Sequence, residues 1–166
     1  MTDHSPTPAP EITATPIVAV AASIPSHIRT TWKGEHLFDT GKANGAPARF
    51  DGSGKTAQTP PDALLSALAS CSGIDVVDYL AKRRTPVTSL AVDVQADRRD
   101  LHPRRFEQIR LRFEIEGAEV DRSHAERAVR LAFERYCSVA ASLAPDIGIS
   151  AVVVLNGEDG APMRIV

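Results

Sequence analysis

The sequence predicts an α+β domain in which an antiparallel sheet carries two main helices on one face. Three observations predict this class: an apolar helical stretch from Thr59 to Leu80, a second apolar helical stripe from Ser123 to Tyr136, and segments around them in which apolar and polar residues alternate. The chain of 166 residues, with 43% hydrophobic content, has the length of one domain and enough apolar residues for a buried core.

The chain ends and the overall charge argue against several classes of protein. Residues 1–24 are rich in proline, threonine and alanine and predict a disordered or loosely attached arm, so the domain is expected over residues 25–157 and a polar tail over residues 158–166. A net charge of −2 gives no attraction to nucleic acid or anionic membrane, and no apolar run approaches the roughly 18 residues of a spanning helix. No lysine or arginine precedes the apolar stretch near the N-terminus, and two separate cysteines make no disulfide framework, so a cytoplasmic protein is expected.

Short strands lead into the domain. The segment from Ser26 to Phe38 has threonine, tryptophan and phenylalanine around Gly34, which predicts a hairpin that turns near Lys33 and Gly34. The glycine-rich segment that follows predicts a loop with a brief strand over residues 48–51. Its Gly-Ser-Gly-Lys-Thr sequence imitates a phosphate-binding loop, but Arg49 stands where that motif requires its first glycine, so a flexible loop is the better interpretation.

The central helix has a well-marked start. Thr59 can cap it, Pro60 suits the first turn, where no amide donor is needed, and Asp62 completes a capping box. Apolar residues then occur on nearly every side of the helix: Leu64, Leu65, Leu68, Cys71, Ile74, Val77 and Leu80. Because one small sheet covers only one side of such a helix, we expect a second copy of the chain to bury the rest.

The remaining elements follow from alternation and helical spacing. Residues 90–97 and 109–116 alternate apolar and polar side chains and predict two strands, and residues 147–155 predict a last strand after Pro145. Between them, Ser123 and Glu126 form a second candidate capping box that opens a helix running toward Cys137. The five histidines lie in separate segments without metal-ligand spacing, so no metal site is predicted.

Two cysteines remain as candidates for chemistry. Cys71 and Cys137 both lie at apolar helical positions, where a cysteine is most often an inert small hydrophobe. They would be reactive if they met in space, since one thiolate can attack a peroxide to give a sulfenic acid, which a second thiol converts to a disulfide. Cys71 lies about three turns into its helix, too far for the helix dipole to activate it. An arginine held by a carboxylate would have to lower its pKa.

The residues around both cysteines resemble the OsmC/Ohr family. The resemblance lies in the Thr59–Cys71 segment, the Ile-Asp-Val-Val that follows, and the Glu126–Cys137 segment with its following Ser-Val, and it extends from about Ser26 to Leu155. It implies an intertwined homodimer with sites at the subunit interface, which reduces organic hydroperoxides through a cysteine pair recharged by a small or lipoylated dithiol. No metal, flavin or other cofactor is implied.

Site residues follow from the same resemblance. Cys71 corresponds to the peroxidatic thiol and Cys137 to the resolving thiol, and Arg49 is the best match to the activating arginine, with Arg29 as its rival. Peroxidases of the family place a glutamate ten residues before the first cysteine, where this chain has Pro61 and then an acid one residue later. One residue turns a helical side chain by about 100°. The acid, Asp62, is therefore either a replacement for the glutamate or only the cap.

Two functions remain open from the sequence. Tyr136 and the Ile-Asp-Val-Val segment are more similar to a less characterised branch of the family than to its dedicated hydroperoxide reductases. The first function is a thiol-dependent peroxidase that uses Cys71 and Cys137. The alternative is a non-catalytic OsmC-like protein that binds a small hydrophobic or electrophilic ligand in a pocket at the dimer interface, since a fold does not decide a function.

Overall fold

Two β-sheets, one long helix and shorter helices form residues 25–165, the part of the chain that a computed structural model describes. In chain order the elements are β1 (Arg29–Trp32), β2 (Leu37–Gly41), β3 (Ala48–Asp51), α1 (Pro60–Lys82), β4 (Ser89–Arg98), β5 (Phe106–Glu116), α2 (Arg122–Leu131), a π-helical turn (Ala132–Tyr136), α3 (Ser138–Ala141), β6 (Gly148–Leu155), β7 (Glu158–Asp159) and β8 (Met163–Arg164). The predicted α+β class is confirmed, and the predicted arm over residues 1–24 lies outside the described residues.

The first sheet is a three-stranded antiparallel meander, β1-β2-β3. The predicted hairpin turns at Gly34 and Glu35, whose φ angles of 105° and 45° lie in the left-handed region. The N–H of Lys33 donates to the carbonyl of Leu37 at 2.9 Å and closes the turn. The brief strand predicted over residues 48–51 is also present, as β3.

The second sheet is mixed rather than antiparallel throughout. β4 pairs with β5 antiparallel, but β5 pairs with β6 in parallel, because α2 carries the chain across before it re-enters the sheet. The short strands β7 and β8 both pair with β6. Residues 158–166, predicted as a polar tail, therefore contribute strands to the domain, and Met163 is buried opposite Ala151.

The core lies where the second sheet packs with α1 and α2. The alternation predicted for β5 is confirmed, since Leu111, Phe113 and Ile115 are buried on one face of the strand. Phe113 meets Phe133 edge to face, with ring centroids 6.3 Å apart. Burying each such side chain contributes about 1.5–3 kcal/mol to folding, and the burial fixes α1 and α2 over the same sheet.

The predicted start of α1 is confirmed. The Asp62 N–H donates to Thr59 Oγ1 at 3.4 Å, and the Thr59 hydroxyl donates to the Asp62 carboxylate at 2.6 Å. Contrary to the expectation from the sequence, α1 is long and apolar enough to cross a membrane. Length and apolar composition alone do not identify a membrane-spanning helix, because the core helix of a globular protein has both. Leu68, Val76 and Leu80 of α1 are fully buried in the core.

The second predicted capping box is wrong. The cap of α2 is Asp121, whose carboxylate accepts a hydrogen bond from the His124 N–H at 2.8 Å. Ser123 already lies inside the first turn, so its hydroxyl donates to Asp121 at 2.7 Å instead of capping the helix. At the other end the π-helical turn changes the helical periodicity. Tyr136, predicted on the apolar stripe, is consequently 57% exposed.

The loop that leads into α1 is organised around one carboxylate. Asp51 is buried and accepts hydrogen bonds from the Ser53 N–H and hydroxyl at 2.8 and 2.6 Å and from the Thr56 N–H and hydroxyl at 2.9 and 2.8 Å. These hydrogen bonds hold the pKa of Asp51 well below its usual range, and the hydrogen bond from the Ser53 hydroxyl has the largest effect. The loop predicted as flexible is thus tied to the end of β3.

We predict that Asp51→Asn lowers the midpoint of thermal unfolding at pH 7. Because the pKa of Asp51 is depressed in the folded state, its stabilisation is present above the ordinary aspartate pKa of about 4 and is lost as the pH falls. The difference in midpoint between wild type and variant should therefore shrink in acid, as measured by circular dichroism from pH 7 to pH 3. Asp100→Asn, at an exposed position in the β4–β5 turn, is the control. Equal midpoints of wild type and Asp51→Asn at pH 7 would contradict the account.

Candidate active site

The fold brings the two cysteines together. The Sγ atoms of Cys71 and Cys137 and a carboxylate oxygen of Asp75 all lie within 4.8 Å of one another. Both cysteines are free thiols. The sequence set one condition for thiol chemistry, namely that two cysteines far apart in the chain lie close together in space. This condition is met within one chain.

α1 positions two members of this cluster. Cys71 and Asp75 are four residues apart on the helix, so their side chains lie on one face, one turn apart. The next residue of the helix, Ser72, is buried, and its hydroxyl donates to the Leu68 carbonyl at 2.8 Å, so it needs no partner outside the helix. Cys71 itself is half-buried. α1 therefore holds the thiol at the edge of the core with access to solvent.

Cys137 does not lie on a helix, contrary to the prediction. It follows the π-helical turn with extended backbone, φ −68° and ψ 99°, and its N–H donates to the Ala132 carbonyl at 2.7 Å. It caps α3 instead, with Sγ accepting a hydrogen bond from the Ala140 N–H at 3.4 Å. The helical stripe thus ends before Cys137, and the extended residue places its buried thiol against α1.

Burial gives the two acidic groups beside Cys71 unusual properties. Burial, together with the neighbouring Cys71 thiol, raises the pKa of Cys137 to about 11, although the Ala140 N–H acts in the opposite direction. Burial also raises the pKa of Asp75; Asp78 adds to this effect and Lys82 opposes it. At neutral pH Cys137 is a protonated thiol. Because the thiolate is the nucleophile, Cys137 is not the thiol of this pair that would react first.

The other predicted site residues lie elsewhere in the chain. Arg49 lies on β3 and donates from Nε and Nη2 to the two carboxylate oxygens of Asp39 on β2, at 2.7 and 2.9 Å. Asp62 accepts from Thr59 at the start of α1 and serves as the cap. Arg29, the rival arginine, lies on β1 opposite Gly41. Within one chain the first sheet and the cap thus hold these residues apart from the thiol cluster.

Asp75 is the site residue that the sequence interpretation missed. It stood in the Ile-Asp-Val-Val segment that carries the family resemblance, but it was given no role there. The position of Asp75 could have indicated a role beside Cys71, because it is an acid one helical turn after that cysteine on a largely apolar stretch.

An apolar groove runs along another side of α1. It encloses about 690 Å³ between α1 and β4, and Ile74 and Val77 line it from the helix and Leu90 and Val92 from the strand. Neither thiol lines this groove. Ile74 is 62% exposed, so a large apolar side chain of α1 remains uncovered within the chain.

Comparison with known proteins places the chain in a family. A model of the OsmC-like protein family matches residues 52–151, a span that includes both cysteines and Asp75. The chain belongs to the OsmC-like family. The relationship inferred from the two cysteine segments is thereby confirmed.

Relatives of this OsmC-like chain are similar over most of its length. Protein YhfA of Escherichia coli (strain K12) is 37% identical over 123 residues, which cover 74% of this chain and 92% of YhfA. A hypothetical protein from Aquifex aeolicus VF5 matches with a TM-score of 0.71 and 26% identity over 78% of this chain and 95% of its own. The organic hydroperoxide resistance protein OhrB of Bacillus subtilis shares the fold, with a TM-score of 0.52 and 16% identity over 78% of this chain and 98% of OhrB.

We predict that iodoacetamide alkylates Cys71 of the OsmC-like chain at least about tenfold faster than Cys137 at pH 8, because thiolates and not thiols are alkylated. Cys137 is only 2% exposed, and with a pKa of about 11 roughly one molecule in a thousand carries its thiolate at that pH. Peptide mapping by mass spectrometry over a time course measures both rates. In denaturant the two rates should converge, which is the control. Faster labelling of Cys137 in the native protein would overturn the assignment of the buried thiol.

Proposed function

We propose that this OsmC-like protein is a thiol-dependent peroxidase that reduces organic hydroperoxides, with Cys71 as the peroxidatic and Cys137 as the resolving thiol. The observation that carries the proposal is the approach of the two Sγ atoms to within 4.8 Å in one chain. A structural neighbour named for organic hydroperoxide resistance supports the substrate class. The different burial of the two thiols supports their order of reaction.

The reaction divides between the two thiols. The Cys71 thiolate attacks one peroxide oxygen, so an S–O bond forms as the O–O bond breaks, and the departing alkoxide takes a proton to become the alcohol. Sulfur is oxidised by two electrons and the peroxide is reduced by two. The Cys137 sulfur then attacks the Cys71 sulfenic acid; an S–S bond forms, and the hydroxyl leaves as water with the proton of Cys137.

An external dithiol completes the cycle. A small or lipoylated dithiol exchanges with the Cys71–Cys137 disulfide, restores both thiols and leaves as its own disulfide, so the protein needs no resident cofactor. We place this reaction in the cytoplasm, where thiols are kept reduced. Neither a nucleic acid nor a membrane takes part.

We further propose an intertwined homodimer as the active form. α1 leaves Ile74 exposed, and Trp32 at the end of β1 and Ile28 just before β1 are exposed too, so two apolar surfaces of one chain lack cover. Packing the first sheet of one subunit over α1 of its partner would bury both surfaces. Arg49 and Arg29 lie on the face of the first sheet opposite Trp32, so one of them would reach a thiol site at the interface from the edge of the sheet, where a guanidinium would favour the Cys71 thiolate.

A second candidate function rests on the apolar groove between α1 and β4. The groove is lined by Ile74, Val77, Leu90 and Val92. Arg49 is held by Asp39 within its own sheet. Both features favour an OsmC-like protein that binds a small hydrophobic or electrophilic ligand without turnover, and such a protein would not consume peroxide.

We predict that the purified protein consumes cumene hydroperoxide faster than hydrogen peroxide with dihydrolipoamide as reductant. Cys71→Ser should lower this rate at least about a hundredfold, because it removes the nucleophile. Cys137→Ser should permit one oxidation, with Cys71 then passing to the sulfinic acid, as intact-protein mass spectrometry would record. Asp100→Asn, at an exposed position in the β4–β5 turn, is the control and should retain turnover. Turnover in Cys71→Ser equal to that of wild type would contradict the proposal.

We predict that the wild-type chain sediments as a dimer at micromolar concentration. Ile74→Glu, which puts a charge on the uncovered side of α1, should shift it toward monomer, because the interface would bury that charge without a partner. Leu101→Glu is the matched control, because Leu101 is 78% exposed in the β4–β5 turn and outside both surfaces. A monomeric wild type would count against the dimer, and equal masses for wild type and Ile74→Glu would count against an interface on this side of α1.

A further inference from the structure

Asp75 makes the thiol pair a cluster of three ligand atoms. α1 supplies Cys71 and Asp75 from adjacent turns, and the residue between the π-helical turn and α3, Cys137, supplies the third atom from the opposite side. The two sulfurs and the carboxylate oxygen lie within 4.8 Å of one another. None of the four histidines within residues 25–165 belongs to this cluster.

Asp75, a member of the cluster, has one carboxylate oxygen without a hydrogen-bond partner. Asp75 Oδ2 is buried and accepts no hydrogen bond from any of residues 25–165. A buried polar atom without a partner is costly, and native structures usually satisfy it with a donor, a water or an ion. A cation held between the Asp75 carboxylate and the two sulfurs would supply a partner for this carboxylate.

The ligand types select the metal. Zinc is bound tetrahedrally at about 2.3 Å by cysteine sulfur and about 2.0–2.2 Å by carboxylate oxygen, which sets ligand atoms roughly 3.5–3.8 Å apart. A cluster within 4.8 Å needs to contract by only about 1 Å to reach that geometry. Magnesium and calcium prefer oxygen ligands throughout, so two sulfurs argue against them.

We propose that the reduced protein binds Zn²⁺ through Cys71, Cys137 and Asp75. The Ala140 N–H donates to Cys137 Sγ at 3.4 Å and so fixes the orientation of that ligand. Cys71 is half-buried, so the fourth position of the metal is open to water or to an added thiol. Zinc and peroxide would compete for the same sulfurs, but zinc binding does not require that the protein turn peroxide over.

The test is a zinc titration of the reduced full-length chain without peroxide, against a chromophoric chelator. One zinc per chain is expected, and Co²⁺ in its place should give sulfur-to-cobalt charge-transfer absorption and the visible bands of a tetrahedral site. Asp75→Asn should weaken zinc binding at least about tenfold by removing a charged ligand. Asp78→Asn, an exposed acid on the same helix that adds to the charge near Asp75 without belonging to the cluster, is the matched control and should bind as wild type does.

Wild-type protein with both thiols blocked by methyl methanethiosulfonate keeps its sequence and provides a second control. The blocked protein should bind zinc much more weakly than the reduced chain does. Equal affinities for wild type and Asp75→Asn, or for reduced and blocked protein, would overturn the proposal. Zinc binding without peroxide turnover would refute the peroxidase and leave the metal site standing. Peroxide turnover without zinc binding would refute only the metal site.

Discussion

The structure depends on the close approach of Cys137, which follows the π-helical turn, to the middle of α1. If α2 continued as a regular helix through Cys137, the sulfur would follow the helical periodicity of the apolar stripe. The π-helical turn over residues 132–136 ends that periodicity, and the extended residue after it places the sulfur beside Cys71. π-helical turns occur often at functional sites, and this one has a direct geometric effect.

The same approach gives the two thiols different surroundings. Cys137 is sealed into the core, where the low dielectric keeps it protonated, whereas Cys71 lies at the boundary of the core with access to solvent. One geometry therefore sets both the meeting of the thiols and the order in which they can react. Asp75, from the turn of α1 after Cys71, adds a carboxylate with one unpartnered oxygen to the same space. The cluster is consequently suited to a metal ion as well as to a disulfide.

Much of this could be predicted from the sequence because it is locally encoded. The capping box at Thr59 and Asp62, the turn at Gly34 and the alternation along β5 each need only neighbouring residues, and all are present. The cap of α2 is predicted wrongly because Asp121 and Ser123 both suit that role. Only the backbone conformation shows that Asp121 is the cap. The parallel pairing of β5 with β6 and the strands after residue 157 depend on packing across the sheet. The alternation of apolar and polar residues along one strand does not predict such pairing.

The candidate site was predicted unevenly for a similar reason. Cys71 and Cys137 are marked by the residues around them, but the role of Asp75 depends on a neighbour far away in the chain. Arg49 was assigned by resemblance across a glycine-rich loop, and within one subunit its guanidinium is held by Asp39. Its relation to Cys71 therefore depends on how two chains assemble.

The most direct test of the central claim, that Cys71 and Cys137 form one redox pair, is a thiol titration after one equivalent of cumene hydroperoxide, followed by peptide mapping under non-reducing conditions. The account predicts the loss of both thiols and a Cys71–Cys137 disulfide within one chain. Two free thiols after the treatment, or a disulfide that joins two chains, would contradict it.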